Sequence, residues 1–290
     1  MQGMSEFLRH IQACNTAVLP GERLQFRIGT AGVGWVRPEL ADILATFDAV
    51  RRDARTVSLM DPAALPGLAQ ALARRGVVRH RGEAFDVRAA PGLPALSTID
   101  RGALPAFGIQ AEGVHVNALV RRADGLHVWV AKRAANKALD PGKYDHMVAG
   151  GTPAGHTPWQ TLIKEAAEEA AVPPAIAAQA RLVFTIGYAM ERPEGLRRDL
   201  LHCYDLMVPA DFTPVPADGE VERFELWPLV RVFEAVRDTD EFKFNVSLVL
   251  IDLFLREGLI EGTPAATLRA ALQAPAPWTG SGFGASIGTK

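Results

Sequence analysis

The segment AGGTPAGHTPWQTLIKEAAEEAAVPP, from Ala149 to Pro174, places a glycine-rich loop directly before a short helical sequence with three glutamates. Glu165, Glu168 and Glu169 would lie on one helix face, within an arc of roughly 100°. Like charges three and four residues apart destabilise an isolated helix by a few tenths of a kcal/mol, in order of magnitude. This face is therefore either solvated or occupied by a cation, and the carboxylates alone leave both alternatives open.

Capping signals predict where this helix begins and ends. Thr157 fits the N-cap, Pro158 fits the first helical position, and Gln160 completes a capping box with Thr157. The alanine-rich sequence that follows favours a helix, and Pro173-Pro174 is expected to end it.

The loop before the helix contains Gly150 and Gly151. Glycine lets the backbone approach a ligand closely, and a loop that enters a helix directs N–H groups toward phosphate. Together with the capped helix and its glutamates, this register indicates a phosphate and metal site.

Composition narrows the class of protein. The 290 residues are 48% apolar and 22% charged, which is typical of a globular protein. A net charge of −2 and arginines clustered only in pairs make nucleic acid a poor partner. Cys14 and Cys203 lie outside any C-x-x-C pattern, which favours a reduced, cytoplasmic protein. The sequence shows no signal peptide and no apolar run of the ~18 residues that a membrane span requires.

The order of hydrophobic patterns predicts three regions. Residues 1–105 alternate between helical and strand patterns and form a smaller α/β domain, which ends in the linker-like segment APGLPALSTID. Residues 106–262 begin with two strands joined by a turn and contain the glutamate helix. Residues 263–290 are predicted to be a loosely ordered tail, because the end of the chain is rich in Pro, Gly and Ser.

The loop and helix resemble the Nudix box, which is written G-x5-E-x7-R-E-x-x-E-E-x-G followed by an apolar residue. The corresponding positions here are Gly150, His156, Lys164, Glu165, Glu168, Glu169, Ala171 and Val172. In that family the helix glutamates hold Mg²⁺ or Mn²⁺ against a diphosphate. The resemblance therefore implies that Glu165, Glu168 and Glu169 are the catalytic metal ligands, and it implies an α+β fold with a mixed sheet sandwiched between helices.

Three positions depart from the family pattern. His156 replaces the first glutamate, which leaves the number of bound metals open. Lys164 replaces arginine and keeps the charge, but it lacks the two-pronged geometry of a guanidinium. Ala171 replaces the last glycine, and we expect little cost if the helix simply continues through it.

Longer segments resemble one branch of the family. FGIQAEGVHVNALV, WVAKRAANKALDPGKYDHMVAGG and DTDEFKFNVSLVLIDLFLREGLI are similar to the thiamine-diphosphate-hydrolysing Nudix proteins of fungi and plants. That branch includes the Nudix part of fungal thiamine pyrophosphokinase fusions and carries an N-terminal extension domain. The resemblance implies metal-dependent hydrolysis of thiamine diphosphate, or of oxidised oxythiamine-type analogues, to the monophosphate and phosphate.

Further site residues follow from the resemblance. Glu220, just before the last strand, is predicted to be the general base, with Glu222 as the alternative. Asp145 either contacts substrate or caps its loop, and Arg133 and Lys137 either reach phosphate or are solvated.

Two more residues are assigned to the thiamine moiety, and several alternatives stay open. Tyr188 either walls the substrate rings or belongs to the core, and Asp199 is predicted to meet the aminopyrimidine or a metal. The competing functions are hydrolysis of another nucleoside diphosphate derivative and a non-catalytic metabolite sensor. The intact glutamate set argues against the sensor. A homodimer is left open, with the N-terminal domain as a pocket lid or a dimer surface.

Overall fold

The computed structural model describes residues 4–137, 139–217 and 219–274, which divide into two compact units. The first unit consists of the described parts of Met1–Cys14, Ala111–Gly187 and Asp199–Ala274. The second consists of Asn15–Gln110 and Tyr188–Arg198.

The chain up to Phe107 forms short helices and strands. Its helices are α1 (Met4–Cys14), α2 (Pro38–Leu44), α3 (Leu65–Arg74) and α4 (Leu104–Phe107), with a 3₁₀ turn at Pro62–Ala64. Its strands are β1 (Leu24–Ile28), β2 (Ala31–Val36), β3 (Val50–Arg52), β4 (Thr56–Leu59), β5 (Ala84–Val87) and β6 (Ser97–Asp100). The first four form a sheet in the order β2-β1-β4-β3, in which β1 and β4 run parallel, and β5 pairs with β6.

The remainder of the described chain builds a larger sheet and the helices that cover it. The strands are β7 (Gln110–Arg122), β8 (Gly125–Arg133), β9 (Tyr144–His146), β10 (Val148–Gly151), β11 (Arg181–Arg192), β12 (Gly195–Met207) and β13 (Val221–Pro228). The helices are α5 (Pro158–Ala170), α6 (Pro174–Ala177), α7 (Leu229–Asp238), α8 (Val246–Arg256) and α9 (Gly262–Gln273). The sheet order is β11-β12-β7-β8-β13, with β10 paired to β7 and β9 paired to β8.

Alternation along β7 gives the large sheet two differently covered faces. Val114, Val116, Ala118 and Val120 lie in one buried cluster with apolar residues of α5, including Leu162, Ala166 and Ala170. The residues between them point to the opposite face. There His115 contacts Asn245, the residue just before α8. The sheet is therefore sandwiched between helices, as predicted.

Helix α1 belongs to the first unit, with the large sheet, and not to the second unit that follows it in the chain. In α1 the ring of Phe7 lies 5.0 Å from that of Phe233 and 6.1 Å from that of Phe254. A ring nitrogen of His10 lies 2.7 Å from the Val236 carbonyl oxygen. The predicted domain of residues 1–105 is therefore wrong at its start, because the apolar face of α1 packs on α7 and α8.

Other boundaries also differ from prediction. Ser97–Asp100, within the expected linker, is a strand, and the hairpin end Tyr188–Arg198 clusters with the second unit. The expected loose tail begins instead with the helix Gly262–Gln273, whose Ala265, Leu268 and Leu272 are buried. Residues 275–290 lie outside the described residues. Among the helices of the described ranges, none combines the length and apolarity needed to cross a bilayer.

The end of α5 shows what Ala171 does in place of glycine. The helix ends at Ala170, and Ala171 adopts a left-handed conformation with φ of +52° and ψ of +34°. The N–H of Val172 then bonds back to the Ala166 carbonyl oxygen at 2.9 Å. The expectation that the helix continues is wrong, and an L-residue with a Cβ pays a steric cost in this conformation.

We predict that Ala171→Gly stabilises the protein by about 1 kcal/mol, because glycine adopts the left-handed C-cap conformation without that steric cost. Urea unfolding of the two proteins measures the difference. The matched control is Ala167→Gly, at an exposed position inside α5, which we expect to destabilise by roughly 1 kcal/mol. Equal destabilisation by both substitutions would contradict the strain at Ala171.

Candidate active site

The three glutamates of α5 differ in exposure. The Glu168 side chain is 54% exposed and that of Glu165 is 16% exposed, while Glu169 is buried. The predicted capping box is present, because the Thr157 side chain accepts from the Gln160 N–H and the Gln160 side chain accepts from the Thr157 N–H. This cap fixes where the helix begins. It therefore fixes the register of the three carboxylates relative to the loop before the helix.

Strand β10 lies against these carboxylates. Glu169 Oε2 accepts a hydrogen bond from the Ala149 N–H at 2.9 Å. A Cβ added to Gly150 would lie 2.6 Å from Cγ and Cδ of Glu165, so glycine is needed for this close approach. The glycine loop and the glutamate face therefore meet, as the sequence predicted.

Lys164 links the two more exposed glutamates. Its Nζ lies 2.5 Å from Glu168 Oε2 and 3.3 Å from Glu165 Oε1. The hydrogen bond with Glu168, and next to it the negative charge of Glu165, raise the pKa of Lys164, although burial opposes the shift. The ammonium thus binds two carboxylates with one contact each, where a guanidinium offers a two-pronged contact to one.

His156, which replaces the first glutamate of the box, is exposed. Its Nδ1 lies 3.3 Å from the Ala154 carbonyl oxygen. An imidazole is a poorer ligand than a carboxylate for Mg²⁺, which prefers oxygen. With His156 in place of a glutamate, the box offers three carboxylates, those of Glu165, Glu168 and Glu169 on α5.

Asp145 is buried and paired with two cations. Its Oδ2 lies 2.7 Å from Arg133 Nη1 and 3.1 Å from Lys243 Nζ, and its Oδ1 accepts from the His146 N–H at 2.9 Å. Burial alone would raise the pKa of this carboxyl, but the cations, Lys243 foremost, hold it well below its usual range. Of the two predicted roles, this geometry favours the structural one.

The two predicted phosphate contacts are engaged within the protein. Arg133 also donates to the backbone oxygens of Asp140 at 3.2 Å and Leu139 at 2.9 Å, so it holds the loop between β8 and β9. Lys137 forms an ion pair with Glu220, whose side chain is 51% exposed. Lys137 is the more accessible of the two cations, because 23% of its side chain is exposed against 12% for Arg133.

Tyr188 and Asp199, assigned to the thiamine rings, are both buried. Tyr188 is only 1% exposed and belongs to the second unit, and its contact with the thiamine rings stays a prediction. Asp199, on β12 in the first unit, is 8% exposed, and its contact with a substrate stays a prediction.

Sequence reasoning missed a buried polar cluster on the α8 face of the sheet. His115 Nδ1 lies 2.9 Å from His146 Nδ1, and His146 Nε2 lies 3.0 Å from Asn117 Oδ1. Burial lowers the pKa of His146 to about 4, so this ring is neutral at pH 7. Polar residues at alternate positions of the otherwise apolar strand GVHVNALV were the available signal.

Among the residues that the structure describes, two groups offer ligand atoms for a cation. His115, Asp145 and His146 provide ligand atoms that all lie within 4.8 Å of one another. Because Arg133 and Lys243 already neutralise Asp145, a divalent cation there would be buried beside two positive charges. The carboxylate face of α5, against the glycine loop, fits a hard divalent cation better.

Comparison with known proteins identifies the family. The NUDIX domain family matches residues 111–246, and a domain of unknown function (DUF4743) matches residues 6–111. Nudix hydrolase 24, chloroplastic, of Arabidopsis thaliana is 34% identical over 270 residues, which cover 89% of this chain and 74% of that protein. The chain belongs to the Nudix hydrolase family.

Other relatives agree with this assignment. Nudix hydrolase 20, chloroplastic, of Arabidopsis thaliana is 33% identical over 277 residues, with the same coverage of both chains. The crystal structure of DR0079 from Deinococcus radiodurans is similar over 58% of this chain and 97% of that chain, with a TM-score of 0.44 and 19% identity. The NUDIX family match and the two Arabidopsis relatives confirm family membership and the Nudix fold, and the protein is a Nudix diphosphate hydrolase. As in other Nudix hydrolases, the reaction uses a divalent metal ion.

We predict that Gly150→Ala weakens binding of Mn²⁺ by this Nudix hydrolase by about tenfold, because the new methyl group would displace the Glu165 carboxylate. Titration of the free Mn²⁺ signal by electron paramagnetic resonance measures the affinity. Gly187→Ala, in the first unit, is the matched control, because its added methyl group meets nothing within 4 Å. Equal Mn²⁺ affinities of the two variants would show that Gly150 does not influence the metal site.

We predict that stability falls as the pH falls from about 6.5 to about 4, because the unfolded chain then binds a proton at His146 that the folded protein does not. The contribution of His146 to the free energy of unfolding is fully present above pH 6.5 and amounts to roughly 3 kcal/mol at most. Urea unfolding across this range measures it. His146→Gln should flatten the dependence, and an unchanged dependence in this variant would contradict the assignment to His146.

Proposed function

We propose that this Nudix hydrolase cleaves the diphosphate of thiamine diphosphate, or of oxidised oxythiamine-type analogues, to the monophosphate and phosphate. The observation that supports hydrolysis of a diphosphate is the contact between the glutamate face of α5 and strand β10 at Ala149 and Gly150. The thiamine specificity is supported by the resemblance of the segments on both sides of the box to the thiamine-diphosphate-hydrolysing branch.

In this proposal Glu165, Glu168 and Glu169 hold Mg²⁺ or Mn²⁺. When bound, the cation neutralises charge on the diphosphate and lowers the pKa of the attacking water. The close approach of β10 to α5 at Gly150 places the backbone of Gly150 and Gly151 beside the carboxylates, where phosphate oxygens would lie.

The chain's own residues supply the remaining steps. Glu220 accepts the proton of the attacking water. Its ion pair with Lys137 joins the loop after β8 to the start of β13, and phosphate would compete with Glu220 for this lysine. Glu222, the alternative base, is paired with the neighbouring Arg223 instead.

Hydrolysis of another nucleoside diphosphate derivative is the second candidate, because membership of the family supports the reaction but does not select among diphosphate substrates. The sensor alternative loses support, because the named relatives are hydrolases.

We also propose a cytoplasmic location, in keeping with Cys14 and Cys203, which are buried and form no disulfide. A homodimer stays a prediction.

The deciding experiment is phosphate release with Mg²⁺ from thiamine diphosphate, oxythiamine diphosphate, ADP-ribose and a set of nucleoside diphosphates. We expect release from the thiamine compounds, reduced roughly 100-fold or more in kcat/KM by Glu169→Gln and Glu168→Gln. Glu234→Gln, an exposed glutamate on α7, is the control and should retain full activity. Release from nucleotides alone would reject the thiamine substrate while keeping the reaction.

The same assay tests the general base. Glu220→Gln should lower kcat by about 100-fold, with little change in Mn²⁺ affinity, because the base acts on water and not on the metal. Glu222→Gln is the matched comparison, since both side chains are about half exposed. The reverse order of effects would assign the base to Glu222.

A further inference from the structure

The buried polar cluster behind β10 forms a chain of hydrogen bonds whose direction can be derived. Asn117 Nδ2 donates to Asp205 Oδ1 at 2.9 Å, and Arg256 donates to both oxygens of Asp205. The amide oxygen of Asn117 is therefore the atom that faces His146 Nε2, at 3.0 Å. A carbonyl oxygen only accepts, so the proton of the neutral His146 ring is on Nε2.

That proton position determines the state of His115. With its proton on Nε2, His146 can only accept at Nδ1, and so His115 Nδ1 donates across the 2.9 Å contact. His115 Nε2 then accepts from Asn245 Nδ2 at 3.4 Å. The chain runs from Asn245 through His115, His146 and Asn117 to Asp205, and its two histidines have opposite tautomers.

The two histidines lie next to β10, the strand that carries the glycine loop. His115 is the partner of Ala149 in the pairing of β7 with β10, and Ala149 donates its N–H to Glu169. His146 ends β9, two residues before β10 begins, and its ring bonds to two residues of β7. The ring therefore fixes the corner between β9 and β10 to β7.

We propose that His146 and His115 are positioning residues for the metal-binding carboxylates. Their hydrogen-bonded pair fixes β10 along β7, so that the Ala149 N–H is directed at Glu169 and Gly150 lies against Glu165. The inference rests on the proposed metal role of these glutamates. Neither histidine contacts the cation.

The burial of this cluster supports a role beyond stability. Apolar side chains of similar size would fill the same space without the cost of burying polar groups. A chain of hydrogen-bonded polar groups, in contrast, accepts only one relative position of the strands that it joins. Such a fixed position is needed for β10, because the position of β10 determines where the carboxylates of Glu165 and Glu169 lie.

The first test is ¹⁵N NMR of the imidazole rings in the unmodified protein at pH 7. We expect His115 to carry its proton on Nδ1 and His146 to carry its proton on Nε2. Identical tautomers would overturn the chain. Protons on Nε2 of both rings after addition of Zn²⁺, with both Nδ1 atoms ligating, would show a metal site instead.

The second test is Mn²⁺ binding by electron paramagnetic resonance, without substrate, to the full chain and its variants. We expect His146→Gln to weaken Mn²⁺ binding by about tenfold, as is usual when residues that orient metal ligands are changed. His127→Gln is the matched control, a buried histidine on β8 that contacts the Gly125 carbonyl oxygen, and should bind Mn²⁺ as the unmodified protein does. Equal affinities of the two variants would reject the positioning role.

The outcomes separate this inference from the proposed function. If the unmodified protein does not bind Mn²⁺, the metal role of the glutamates fails, and the positioning role fails with it. If it binds Mn²⁺ and both histidine variants bind equally, only the positioning role fails. Should His146→Gln not fold, His115→Gln replaces it with the same expected loss.

Discussion

The site depends on the close contact between strand β10 and helix α5. Gly150 has no room for a side chain because the Glu165 side chain occupies that space, and the Ala149 N–H holds one oxygen of Glu169. The capping box at Thr157 fixes the start of the helix, so the glutamates meet the strand in one register. A displacement of β10 would therefore alter two carboxylates at once.

A second group of charged residues surrounds Asp145, and these residues pair with one another. Asp145 joins Arg133 and Lys243 in a buried ion pair, and Arg133 also binds two carbonyl oxygens of the loop after β8. Removing one partner would leave a buried charge uncompensated, which is strongly destabilising. Asp145 and Arg133, for which the sequence left a substrate contact open, tie the loop to the sheet in the structure.

The sequence predicted much of the site because its signals are local. The cap, the glycine loop and the spacing of the three glutamates all follow from residues within one stretch of the chain, and the structure brings them together. The left-handed Ala171 was not foreseen, because alanine carries no signal for that conformation. The sequence left the role of Tyr188 open, because an aromatic residue on a strand has the same pattern in a pocket wall and in a core, and in the structure Tyr188 is buried.

By itself, the sequence determined the carboxylate face of α5 through helical spacing, and its resemblance to the Nudix box indicated the family and the layered fold. Only the tertiary structure decided what lies behind β10. His115 and His146 are far apart in the chain, and their contact depends on how β7, β9 and β10 pair. The packing of α1 on α7 and α8 is likewise a long-range result, because an amphipathic helix specifies that it is buried but not against which partner.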